Sequence, residues 1–210
     1  MKRIKIITTA LFSVCMFVGA TSFAQDKMMK DKKKDKMEKK IKKEKTVMVG
    51  GAAMYPSNNI VENAVNSKDH TTLVAAVKAA DLVETLQSKG PFTVFAPTNT
   101  AFDALPKGTV ETLLKPENKK LLQDILTYHV VSGDWKAKDI IAAIKKGNGK
   151  ASLKTVAGGT VTAMLKGKSV IITDENGNSS TVTIENVNQS NGVIHVVDAV
   201  LLPATDKKKM

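Results

Sequence analysis

The chain has 210 residues, 25% of them charged and 4% aromatic, with one cysteine and a formal charge of +12. That length allows one domain with extensions or two small ones, and a lone cysteine excludes an internal disulfide framework. The excess charge does not belong to the foldable part: residues 46–205 carry only +1, so the basic character resides in the terminal segments.

Residues 1–24 have the pattern of a secretory signal. Lys2, Arg3 and Lys5 form a basic start, Ile6 to Val18 is apolar, and Ser22-Phe23-Ala24 predicts cleavage after Ala24. The apolar run is short of the about 20 residues a spanning helix needs, so no transmembrane segment is expected after cleavage. Cys15 follows Val14 inside the apolar run, not at a lipoprotein cleavage site, so the mature chain is expected to lack a thiol. Without disulfides it must rest on its core, which about 150 residues can build by burying roughly two-thirds of their surface.

Residues 25–45 read as a lysine-rich disordered or transiently helical linker, with eleven lysines and no aromatic side chain. It is either a plain spacer or a polybasic arm attracted to anionic envelope material. Lacking aromatics it offers no stacking platform, so nucleic acid is not the expected main partner. Residues 46–58, rich in Gly and Ala, read as a loosely packed lead-in, and residues 204–210 as a basic tail.

The domain proper is expected over 59–203. Asn59 caps a helix to about Val65, and Thr71 or Thr72 caps a second one carrying Leu73, Val74, Val77 and Ala80, with Asp81 starting a fresh turn. Gly90-Pro91 marks a turn before the strand Phe92–Ala96, which Pro97 ends because it has no N–H for a ladder. Thr98 then caps a short helix with Ala101 and Phe102, so that Phe92 or Phe95 shares a core with Phe102. Thr109–Leu114 is another short helix. Pro116 opens a longer one that buries Leu121, Leu122, Ile125 and Leu126 and carries Tyr128 and His129 at its end. A further amphipathic helix is predicted over 134–146, with Ile140, Ile141 and Ile144 inward.

Beyond Gly147 the period becomes alternating. Strands are predicted at 152–156, 160–165, 169–173 and 181–187, with a hairpin signal at Asn176-Gly177. Val193–Leu202 is apolar enough for a central strand paired with Phe92–Ala96. Helices early and strands late indicate an α+β fold.

Catalytic signals are weak. Strand alternation puts His195 beside Val193 and Val197, which suits a hydrogen-bonded core histidine. The sequence holds no Gly-x-Ser-x-Gly elbow, zinc-ligand cluster or phosphate loop, so neither an enzyme nor a cofactor nor a bound metal is expected.

Three separated stretches, GPFTVFAPTNTAFDALP at 90–106, LTYHVVSG at 126–133 and NGVIHVVDAVLLP at 191–203, closely resemble the fasciclin domain family in sequence, order and spacing. The resemblance implies a wedge of two packed β-sheets with helices along one edge, and the sequence shows no internal repeat, so a single copy is expected. It makes Phe95, Pro97, Thr98, Phe102, Asn191, Gly192, His195 and Asp198 signature positions of mainly structural role. In animal members the Tyr-His pair, matched by Tyr128 and His129, and an Asp-Ile pair have been tied to integrin recognition. At the second position this chain has Asn186-Val187, without the acidic charge. What the resemblance implies is a secreted or periplasmic adhesion module, contacting a surface protein or an anionic polysaccharide. The alternative is a small-molecule or glycan carrier using a pocket between helices and sheet.

Overall fold

The structure, a computed structural model, describes residues 45–204. The signal sequence expected at 1–24, all but the last residue of the lysine-rich linker, and the tail after Ala204 lie outside the described residues. Among the described residues no helix is long and apolar enough to cross a membrane.

The expected loose lead-in is an ordered hairpin. Strands β1 (Val47–Val49) and β2 (Ala52–Met54) pair antiparallel around Gly50 and Gly51. Both glycines have positive φ, +57° and +76°, the conformation a two-residue hairpin loop requires. Val49 and Met54, each 3% exposed, anchor the hairpin in the core.

Helix α1 (Ile60–Ala64) begins in a capping box: Asn59 accepts from the Glu62 N–H at 2.9 Å and Glu62 accepts from the Asn59 N–H at 2.8 Å. Replacing Asn59 with alanine is expected to cost about 1 kcal/mol in a urea titration. Helix α2 (Thr71–Ala79) continues directly from a 3₁₀ turn at 68–70, so Thr71 is already helical and caps nothing. The cap comes from afar, Asn99 accepting from the Thr72 N–H at 3.0 Å and from the Thr71 hydroxyl at 3.2 Å. Asp81, at φ +52°, turns the chain before α3 (Val83–Gln87).

Strand β3 (Phe92–Pro97) is followed by α4 (Asn99–Asp103), which Thr98 caps by accepting from the Ala101 N–H at 3.3 Å. Helices α5 (Thr109–Leu113) and α6 (Lys119–Tyr128) lead to the short strand β4 (Val130–Ser132). Leu122, Ile125 and Leu126 of α6 are buried, but Leu121 is 48% exposed, being about 100° round the helix from that stripe. Helix α7 (Ala137–Lys146) starts three residues later than its sequence pattern suggests. Its first N–H, at Ala137, is accepted at 2.8 Å by the side chain of Asn186, a partner distant in sequence.

The remaining strands are β5 (Lys150–Lys154), β6 (Thr160–Lys166), β7 (Ser169–Thr173), β8 (Ser179–Gln189) and β9 (Gly192–Val197). The seven strands from β3 onward form one series ordered β4-β3-β9-β8-β7-β6-β5. β3 and β9 lie parallel, Phe92 beside Gly192 and Pro97 beside Val197. The two halves of the series meet in β8, whose first residues pair with β7 and whose remainder, interrupted by register shifts, pairs with β9. A bridge between Val131 and Thr155, with the Val156 N–H donating to Val130 at 2.7 Å, nearly closes the series on itself.

Alternation along the parallel pair divides two cores. Val94, Ala96, Ile194 and Val196 face the helices together with Phe92 and Phe102. Phe95 and Val197 face the opposite way, joining Tyr128, Ile140, Val161 and Ile172 between the halves of the sheet. Phe92 is therefore the strand residue that shares a core with Phe102.

Candidate functional site: a buried motif and an open polar groove

Tyr128 closes α6 with its side chain inside the sheet core, 0% exposed. Its hydroxyl donates to the Thr160 carbonyl at 2.8 Å and accepts from the Glu175 N–H at 3.2 Å. Burial pushes the phenol up to about 12, so it stays protonated as this arrangement requires. Gly159 must be small here, because a Cβ would lie 2.7 Å from the tyrosine ring.

His129, 3% exposed, ties α6 to the C-terminal segment. Its Nδ1–H donates to the Ile125 carbonyl at 2.8 Å, and Nε2 accepts from the Leu201 N–H at 2.9 Å. Only the neutral ring with the proton on Nδ1 satisfies both bonds. Burial accordingly pulls its pKa down to about 4. The resemblance marks Tyr128 and His129 as a recognition motif, but here both side chains lie inside the domain. Both rings are enclosed and hydrogen-bonded, so no partner reaches them without opening the core.

His195, 1% exposed, stacks on Phe95 with ring centroids 5.8 Å apart. Its Nε2–H donates to the Trp135 carbonyl at 2.8 Å, while Nδ1 accepts from the Asn186 N–H at 3.5 Å. Asn186 sits at φ +58°, a conformation that asparagine tolerates better than most residues, and caps α7. It thus has a structural task at the bulge in β8.

The other signature side chains hold backbone. Asp198 accepts from the Thr181 N–H at 2.6 Å and from the Ser180 hydroxyl at 3.1 Å. Asn191 accepts from the Ile60 N–H at 3.1 Å and donates to the carbonyls of Leu86 and Ser88, at 2.8 and 3.0 Å. Gly192 allows the close approach of β3, since a Cβ there would fall 2.0 Å from the Phe92 carbonyl oxygen. Among the described residues, no group of three or more His, Cys, Asp or Glu side chains is placed to hold a metal ion.

The surface opens where β3 and β9 begin. A groove of about 660 Å³ is bordered by Gln87, Ser88 and Lys89 on one side, Asn188 and Ser190 on another, and Asp134 with Lys136. Its base is fixed: Asn191 is engaged as above, and Gln189 accepts a hydrogen bond from Asn63. Gln87, Lys89, Asn188 and Ser190 are exposed. Asp134 and Lys136 form an ion pair at 3.3 Å that stays partly open to water. Such a surface presents amides, hydroxyls, Lys89 and the Asp134–Lys136 pair to a polar ligand. The sequence contained a signal for it, because polar runs precede both strands and parallel pairing sets strand starts side by side.

The fasciclin domain profile matches residues 68–203. The chain belongs to the fasciclin domain family. Protein sll1483 of Synechocystis is 50% identical over 160 residues, covering 76% of this chain and 82% of that one. Immunogenic protein MPB70 of Mycobacterium bovis is 36% identical over 145 residues, covering 67% and 66% of the two chains. Human periostin is 31% identical over 140 residues, 67% of this chain but only 15% of its own length. The FAS1 domain pair of the insect cell adhesion molecule fasciclin I superposes with a TM-score of 0.62 at 17% identity, over 73% of this chain and 53% of that one. That likeness establishes the fold shared with other fasciclin domains.

Proposed function

We propose that this fasciclin domain is an exported, secreted or periplasmic binding module that attaches cells to surface polymer or matrix, and so contributes to biofilm cohesion. Its partner on this reading is a surface protein or, preferentially, an anionic polysaccharide, and it carries out no catalysis. The observation that supports this most is the polar groove. There Lys89, and Lys136 beside its partner Asp134, stand among exposed amides and hydroxyls, whereas His129 and His195 are engaged with backbone inside the domain. Acidic sugars call for that mixture, hydrogen-bonding groups for ring hydroxyls and cations for carboxylates.

The lysine-rich segment 27–45 would add a non-specific, salt-sensitive attraction to the same anionic material. Binding of the full chain to immobilised acidic capsule polysaccharide, compared with a chain lacking residues 27–45, tests the reading. The expected result is weaker, less salt-dependent binding after the deletion, with a saturable component remaining. Absence of any saturable component in both chains would reject it.

A further inference from the structure

The helix-facing core is not filled. A cavity of about 80 Å³ lies between α1, α2, α3 and the sheet, bordered by Ile60, Leu73, Val77, Leu86, Val94 and Ile194. This is the place of the pocket that the carrier alternative requires, but its lining is almost wholly apolar and cannot hydrogen-bond a glycan. His70 borders it, but its Nδ1 is bonded to Ser67 and its Nε2 faces the Ala96 backbone, closed off from the free volume. Both nitrogens of His129 are engaged. A charged or hydroxylated group placed in the interior would lose its hydration without compensation. The volume is roughly half that of the ~150 Å³ apolar cavity known to take up benzene, which suits the end of an alkyl chain better than a ring system.

The same cavity reaches the surface along α2, where half-buried Val74 and exposed Lys78 border it. Lys78 makes no ion pair among the described residues, and its charge lies where the cavity meets the surface and a polar group can remain hydrated. We infer that the cavity receives the alkyl end of a monomeric anionic amphiphile of the medium-chain fatty-acid class, its carboxylate resting at Lys78. This site is separate from the groove, and it goes beyond the adhesion reading by giving the domain a lipid cargo.

Titration of the full chain with octanoate, followed by amide NMR shifts and calorimetry, tests the assignment. Octanoate is expected to bind saturably and to shift amides of α2 and β9. Lys78→Ala is expected to weaken octanoate about two- to fivefold, the effect of an exposed charge, while leaving octan-1-ol unchanged. Val74→Phe, and independently Ala64→Leu, fill the space from partly exposed positions and are expected to weaken both probes at least tenfold. No saturable binding would overturn the inference, as would octanoate affinity unchanged in both filling variants. Uptake seen only when the acid is presented in phosphatidylglycerol vesicles would overturn the assignment to a free, monomeric ligand.

Discussion

Replacing His129 with alanine is expected to lower the unfolding free energy by about 4 kcal/mol at pH 7.5, measured by urea denaturation. The imidazole bridges the last turn of α6 to Leu201, and its loss leaves the Ile125 carbonyl and the Leu201 N–H without their side-chain partner inside the core. Each stranded buried group costs about 1–3 kcal/mol, and the vacated volume adds a cavity term. The segment after β9 depends on this contact, together with the Leu202 N–H donated to Asp174 at 3.0 Å. Loss of protection at Leu201 in hydrogen exchange should therefore accompany the shift. A variant as stable as the parent would show that the bridge carries no energy.

Acidification should weaken the fold through the same residue. Burial lowers the pKa of His129, His195 and His70, so all three are held neutral in the folded chain. Lesser effects oppose burial at each ring: the Ile125, Trp135 and Ala96 backbone respectively, and the nearby carboxylates of Asp174, of Glu185 and Asp134, and of Asp69. The unfolded chain binds protons near pH 6.5, whereas folded His129 does not until about pH 4. Below pH 6.5 the unfolded state therefore binds more protons, and stability falls as the pH drops. The His129 contribution is fully present above pH 6.5 and is lost progressively down to about pH 4, reaching about 3 kcal/mol. Urea midpoints should be flat between pH 7 and 8 and decline from 6.5 to 4.5. His129→Ala should reduce the slope, and a midpoint independent of pH across that range would refute the assignment.

What the sequence made legible was local. Pro97 and Thr98 punctuate the strand and helix around 92–103 without help from elsewhere, and Asn176-Gly177 announces its hairpin. The runs at 92–96 and 193–197 identified the central strand pair because a strand buried on both faces reads as a nearly continuous apolar run, whereas their parallel direction came only with the structure. Features that depend on distant partners were harder to read. Thr71 resembles a cap, but the helix start is governed by Asn99; Asp134 resembles a helix start, but Asn186 sets it at Ala137. The β1–β2 hairpin did carry a Gly-Gly signal, masked by a composition that suggested loose chain. For the site, sequence motifs drew attention to Tyr128 and His129, residues that the fold needs inside. The exposed groove is assembled from unremarkable polar residues brought together only by strand pairing.

Acidic-polysaccharide binding by two single variants, in the chain lacking residues 27–45, separates the groove from the buried Tyr-His pair as the binding surface. Lys89→Glu reverses a charge on the groove wall, and Tyr128→Phe removes the interior hydroxyl at an expected cost of about 2 kcal/mol in stability. Lys89→Glu is expected to weaken binding about fivefold or more with unchanged stability, while folded Tyr128→Phe binds like the parent. Intact binding by Lys89→Glu, together with its loss in a folded Tyr128→Phe domain, would contradict the groove assignment and return the partner to the Tyr-His motif.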